Sequence, residues 1–214
     1  MPGSRAQVVE RCKIVALISG LSAMGFTSIC TPSPAQTIPE RVRANPTPPL
    51  ITGVLVDIRP LSIEQLTTGS ELVVKGRLTR PKSYLTADEN YVLTDYLLVP
   101  ERVIVGRVPA GQATPGPATP LILTVQGGEL SVEGMPVRGV NSALEDIRPG
   151  GEYLLFLRSF GSREGQYQLY MGGAFEIGRT GIRPLLKGYG QVFTDMAGTQ
   201  LSELVRRAEN AAAK

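Results

Sequence analysis

Hydrophobic positions along the chain follow three regimes: an early unbroken apolar run, a long middle stretch of period-two alternation, and a closing stripe of helical period. The middle stretch predicts most of the fold. In Glu71 to Leu78, Leu72, Val74, Gly76 and Leu78 share one face while Glu71, Val73, Lys75 and Arg77 share the other, a half-buried strand. Ile51 to Ile58 predicts an earlier strand and Leu121 to Gln126 a later one. Tyr91 to Val105 is long and β-rich, but Pro100 has no N–H for a ladder, so a bulge, bend or edge is expected there. Gly151 to Phe160 is apolar on both faces and therefore central. The turn from Gly161 to Gly165 joins it to Gln166 to Met171 as a hairpin, and Phe175 and Ile177 extend a further strand.

Helical signals are confined to two places. Ser62 to Thr68 has Ile63 and Leu66 three apart with Glu64 early, a short helical turn ended near Gly69. Leu201 to Ala213 carries the stripe Leu201, Leu204, Val205 and Ala208, with Thr199 as its cap and Arg206 and Arg207 toward the negative end of its dipole. The proline and glycine loop Val108 to Pro120 offers no periodicity and is expected exposed and mobile. The fold class that follows is all-β, mainly antiparallel, closed into a small barrel or sandwich, with a short helix before it and a C-terminal α-helix. Neither an internal repeat nor a βαβ alternation is present.

The early apolar run has a different purpose. Arg5, Arg11 and Lys13 form a positive end, and Ile14 to Phe26 is uncharged and 13 residues long, short of the roughly 20 that a spanning helix needs. Ser33-Pro34-Ala35 then supplies the small-x-small pattern of a signal peptidase site. The expectation is a signal peptide over residues 1–35, cut between Ala35 and Gln36, and a secreted or periplasmic protein that meets the membrane only through that segment. The alternative is a membrane-anchored lipoprotein attached through Cys30, although Ile29 stands where a lipobox has a small residue. Residues 36–49 read as a proline-rich, extended linker, 50–198 as the β-barrel-like domain and 199–214 as the C-terminal helix.

Removing the leader changes the charge and the chemistry. Three of the 22 basic residues and one of the 19 acidic ones precede Gln36, so the remainder carries a net charge of about +1. Its charges are scattered singly, and no basic stripe points to nucleic acid. Cys12 and Cys30 both fall before the cut and the chain has no histidine, which excludes disulfides, a thiol nucleophile, Cys- or His-ligated metal and a Ser-His-Asp triad from the processed protein. No cofactor is expected.

Several segments taken together carry a resemblance: Glu71 to Leu78, Leu93 to Tyr96 leading to Glu101 to Gly106, Val125 to Gly128, and Pro149 to Leu157. The series resembles uncharacterised exported bacterial β-domain proteins whose barrel is similar to the OB-like fold of netrin and TIMP-type modules, over roughly Ser62 to Ile177. The resemblance implies an OB-like barrel. Netrin-type modules are disulfide-stapled and the chain after Ala35 has no cysteine, so no inhibitor function or binding residue carries over.

Two kinds of site remain. Tyrosines can form a stacking platform on an OB-type face, and Tyr91, Tyr96 and Tyr170 are the candidates. Asp88, Glu89, Asp95, Glu129 and Glu133 supply carboxylates, of which Asp95 and Glu129 are the pair for glycoside-type hydrolysis. Gly127-Gly128 lacks the lysine of a phosphate loop and reads as a strand-end turn or bulge. The expected function is an exported, non-catalytic module binding an envelope or extracellular protein or polymer; the alternative is a carboxylate-based hydrolase acting on an envelope polymer.

Overall fold

The computed structural model describes residues 36–45, 47–54, 61–108, 121–161, 164–187 and 200–213. The leader with its Ala35 cleavage position and Cys30, residues 109–120 of the proline and glycine loop, and Thr199 lie outside the described residues. In chain order the elements are α1 (Ile38–Ala44), β1 (Leu50–Val54), α2 (Ile63–Gly69), β2 (Leu72–Leu85) and β3 (Val92–Val105). There follow β4 (Leu121–Gln126), β5 (Gly128–Val132), β6 (Met135–Asn141), β7 (Glu152–Ser159), β8 (Gln166–Gly178), β9 (Gly181–Pro184) and α3 (Leu201–Ala212).

The larger sheet runs β4-β3-β2-β7-β8-β9, and β4 pairs again with β8. That second pairing closes β2, β3, β4, β8 and β7 into a five-stranded ring whose neighbours are antiparallel except for the parallel β4–β8 seam. Closure of this kind leaves no long free edge and gives the small barrel its shape. Alternate residues fill the interior: Leu72, Val74 and Leu78 from β2, Tyr96 and Leu98 from β3, Leu121 and Leu123 from β4, and Tyr153, Leu155 and Leu157 from β7. As the pattern predicts, β3 accommodates Pro100 by a bulge. Gly76 faces Pro100, the register slips beside it and Glu101 is left without a cross-strand partner. The unpaired Glu101 meets Lys75 at 2.7 Å and Arg77 at 3.6 Å, and Glu152 completes a four-residue ion cluster from the far side. Charges that are isolated along the sequence are thus gathered across three strands.

The outer wall carries a second core. Leu154 and Phe156 of β7, Phe175 of β8 and Val73 of β2 point outward and are covered by Ile63 and Leu66 of α2 and Leu204 and Ala208 of α3. Phe156 meets Phe175 edge to face, with centroids 5.8 Å apart. β7 is therefore buried on both faces, as its apolar sequence requires. β2 is buried more than its alternation predicts, because α2 and α3 cover Val73. The α2 turn begins in a capping box, with Ser62 accepting from the Gln65 N–H and the Gln65 side chain accepting from the Ser62 N–H. α3 starts after Gln200 without a side-chain cap, and its arginines sit in mid-helix. Arg206 pairs with Glu203 and Arg207 with Glu64 of α2, so neither reaches the last carbonyls.

The expectation of an extended spacer before the barrel is corrected. Thr37 accepts from the Glu40 N–H and the Glu40 carboxylate accepts from the Thr37 N–H, a capping box that starts α1 with Pro39 in its first turn. Ile38 and Val42 are then buried against Leu50, Val92, Val132 and Val137. The prolines that suggest an open chain mark only the entry and exit of a docked helix. Under α1 lies a three-stranded sheet in the order β1-β6-β5, with β1 parallel to β6 and β5–β6 an antiparallel hairpin. Among the described residues no helix is long and apolar enough to cross a membrane.

Candidate functional site

A cleft of about 210 Å³ opens where the end of β4, the β5–β6 hairpin and the chain from Asn141 to Ile147 meet. Its first wall is set by a glycine. β4 passes into β5 through Gly127, whose N–H donates to the Val92 carbonyl at 2.8 Å and whose carbonyl accepts from the Thr94 hydroxyl at 2.6 Å. At Gly128 φ is +122°, and a Cβ there would stand 1.9 Å from Thr94 Oγ1 and 2.6 Å from Ser83 Oγ. Only glycine brings the hairpin this close to the barrel. The sequence reading of Gly127-Gly128 as a turn at a strand end describes this crossing.

The second wall is a side-chain turn. The Asn141 carboxamide oxygen accepts from the N–H groups of Ala143 and Leu144, at 2.9 and 3.2 Å, and so bends the chain after β6. The Glu145 N–H then donates to the Leu185 carbonyl, which holds Glu145, Asp146 and Ile147 against the opening.

Four charged side chains ring the cleft. Arg138 on β6 lies between two carboxylates, with Nη2 2.9 Å from Asp146 and Nε 3.5 Å from Glu129. Glu145 pairs with Arg183, which also holds Glu176 at 2.6 Å. The Asp146 and Glu129 side chains are 82% and 74% exposed, so these groups remain wet. At the floor is Tyr96, 9% exposed. Burial raises its hydroxyl above the usual tyrosine range, with Tyr153 and the charge of Asp146 adding to the effect. The hydroxyl thus stays protonated at neutral pH, and among the described residues it has no hydrogen-bond partner.

The candidate residues separate. Tyr91 is 43% exposed beside the small sheet, Tyr96 is inside the barrel, and Tyr170 lies outside it under α2. The Tyr170 ring is occupied by the Arg158 guanidinium, 4.2 Å from its centroid, and by the close approach of Gly69. No shared tyrosine platform results. Asp95 and Glu129 are not brought together either. Successive residues of a strand point to opposite faces, so Thr94 and Tyr96 turn to the cleft and Asp95 turns away. Asp95 accepts hydrogen bonds from Thr124 at 2.6 Å and Tyr84 at 3.2 Å, and Gln166 donates to Thr124 at 2.8 Å. This polar chain ties β2, β3, β4 and β8 together on the outer wall. Glu129, by contrast, shares the cleft with Tyr96, although the sequence gives them different chemistry. Arg138, Glu145 and Asp146 escape the sequence reading because nothing local distinguishes them; the Glu145-Asp146 doublet before Pro149-Gly150 is the one available signal.

Among the described residues no group of three or more carboxylates is arranged to hold a metal ion. The cleft offers hydrogen-bond acceptors, the buried hydroxyl residues Thr94 and Tyr96, and an excess of negative charge at its rim. In comparisons with known proteins, the chain matches no family model and no curated sequence.

Proposed function

We propose that the protein is an exported, non-catalytic binding module of the cell envelope or extracellular space, and that the cleft above Tyr96 receives part of a protein or polymer partner. The state of the cleft carboxylates carries this reading. Asp146 and Glu129 close on Arg138 and Glu145 closes on Arg183, so each charge meets a guanidinium in an open, wet setting. Acid–base catalysts are instead held where burial or a like charge tunes them. The apolar run behind a basic end, followed by Ser33-Pro34-Ala35, supports export. Kinship with exported bacterial proteins of the netrin and TIMP type belongs to the same proposal, supported by the five-stranded ring with one parallel seam.

The test has two arms. The exported protein should have an intact mass beginning at Gln36; a lipid-bearing chain that retains Cys30 would replace release with anchoring. Incubated with a panel of envelope glycans, esters and peptides, the protein should turn none of them over. Turnover lost in Glu129→Gln with the fold intact would overturn the binding reading and establish a carboxylate hydrolase.

A further inference from the structure

Tyr96 lines the cleft, and among the described residues no group pairs with its hydroxyl. A tyrosine hydroxyl buried to this depth ordinarily finds a partner. The rim of the cleft sets two carboxylates, Glu129 and Asp146, against one arginine, Arg138, while the third carboxylate, Glu145, is held by Arg183. A cavity of about 210 Å³ is smaller than those that enclose drug-sized ligands and suits a single side chain. Leu144 and Ile147 supply apolar flanks for a hydrocarbon stem. A guanidinium has only donors to offer, and carboxylate oxygens and a tyrosine hydroxyl can all accept from it.

Arg138 already plays part of this role. Its guanidinium bridges Asp146 and Glu129 across the rim, but its side chain is 49% exposed and one of the two links is 3.5 Å long. Exposed pairs of this kind are weak and exchangeable.

Resting on the reading of the cleft as a binding site, we propose that its ligand is an arginine side chain presented by a protein or peptide partner, and that Arg138 is an internal competitor which this side chain displaces. The incoming guanidinium takes over Asp146 and Glu129, and one of its N–H groups donates to the Tyr96 hydroxyl. Arg138 then swings to solvent.

The experiment is an amide NMR titration of the purified protein with acetyl-arginine amide, and in parallel with acetyl-citrulline amide, which has the same shape without the charge. The arginine probe should shift the amides of Gly128, Glu129, Asp146 and Ile147 at millimolar concentration, and the citrulline probe should not. Arg138→Gln should tighten binding about threefold or more by removing the competitor. Asp146→Asn combined with Glu129→Gln should weaken it about fivefold or more. Tyr96→Phe should weaken it without loss of fold. If that variant fails to fold, the citrulline comparison and Arg138→Gln decide, since both probe exposed groups. Silence toward arginine, equal response to citrulline, or weaker binding in Arg138→Gln would overturn the proposal. A cleft that responds to citrulline or to a neutral disaccharide but not to arginine would refute the ligand class and leave the binding site standing. Turnover in the hydrolysis panel would remove both.

Discussion

The barrel wall around β7 and the small sheet beneath α1 are both β-structure with a helical cover, yet they are built to different standards. β7 is enclosed from two sides, with Tyr153, Leu155 and Leu157 in the barrel and Leu154 and Phe156 under α2 and α3. The three-stranded sheet buries one face only, using aliphatic residues such as Leu50, Val132 and Val137 with Ile38 and Val42 from α1, and it leaves Ile51 60% exposed on the other. Closure makes the first region independent of any one contact. The second depends on a single short helix and on the approach at Gly128. The cleft lies between them, with one deeply packed wall and one lightly held, which is the division expected where a site must adjust to a partner.

The largest expected effect tests the stronger region. Phe156 is fully buried and meets Phe175, so Phe156→Ala should cost about 3–5 kcal/mol in denaturant unfolding, with the whole described barrel unfolding as one unit. A loss under about 1 kcal/mol would show that α2 and α3 are not a true second layer. Gly128→Ala tests the weaker region. A Cβ at φ +122° and 1.9 Å from Thr94 Oγ1 cannot be accommodated without moving the hairpin, at a cost of about 2–3 kcal/mol. In hydrogen exchange the β5–β6 amides should lose protection while those of β7 keep it. Equal loss in both regions would erase the contrast.

The same contrast explains what could be read from the sequence. β7, its hairpin to β8 and the bulge at Pro100 were legible because local period and proline chemistry dictate them. The α1 segment was not, since its proline content conceals a Thr37–Glu40 capping box of only seven helical residues. The parallel β1–β6 pairing joins residues from Leu50 and Val137 onward, and no local signal announces a partner so distant. The cleft inherits this difficulty. Tyr96, Gly128, Arg138 and Asp146 come from four separate stretches, so Tyr96 and Glu129 could be singled out individually but not placed together. Asp95 shows the converse: its strong strand pattern places it on β3 without saying which face it serves, and its hydrogen bonds with Thr124 and Tyr84 put it on the outer wall.

The smallest effect concerns the ion pairs that fasten each cover. Two hydrogen bonds from Arg207 hold the Glu64 carboxyl down to about 2, with burial opposing them. An unfolded glutamate titrates near about 4.3, so the folded value is depressed. The pair's contribution is therefore complete above the unfolded value and is lost as pH falls through about 2. Glu64 is 47% exposed and Arg207 30%, so solvent screening reduces that contribution to about 0.5 kcal/mol. On the small sheet, Arg43 likewise lowers the Glu133 carboxyl through a hydrogen bond, but those partners are 63% and 44% exposed and should respond more to added salt. The measurement is the unfolding free energy of Glu64→Gln against the unchanged protein from about pH 6 down to about pH 2. The difference should be constant at the upper end and vanish toward the lower. A difference that persists at the acid end would mean that Glu64 holds α3 by packing and not by charge, and the two covers would then differ in kind.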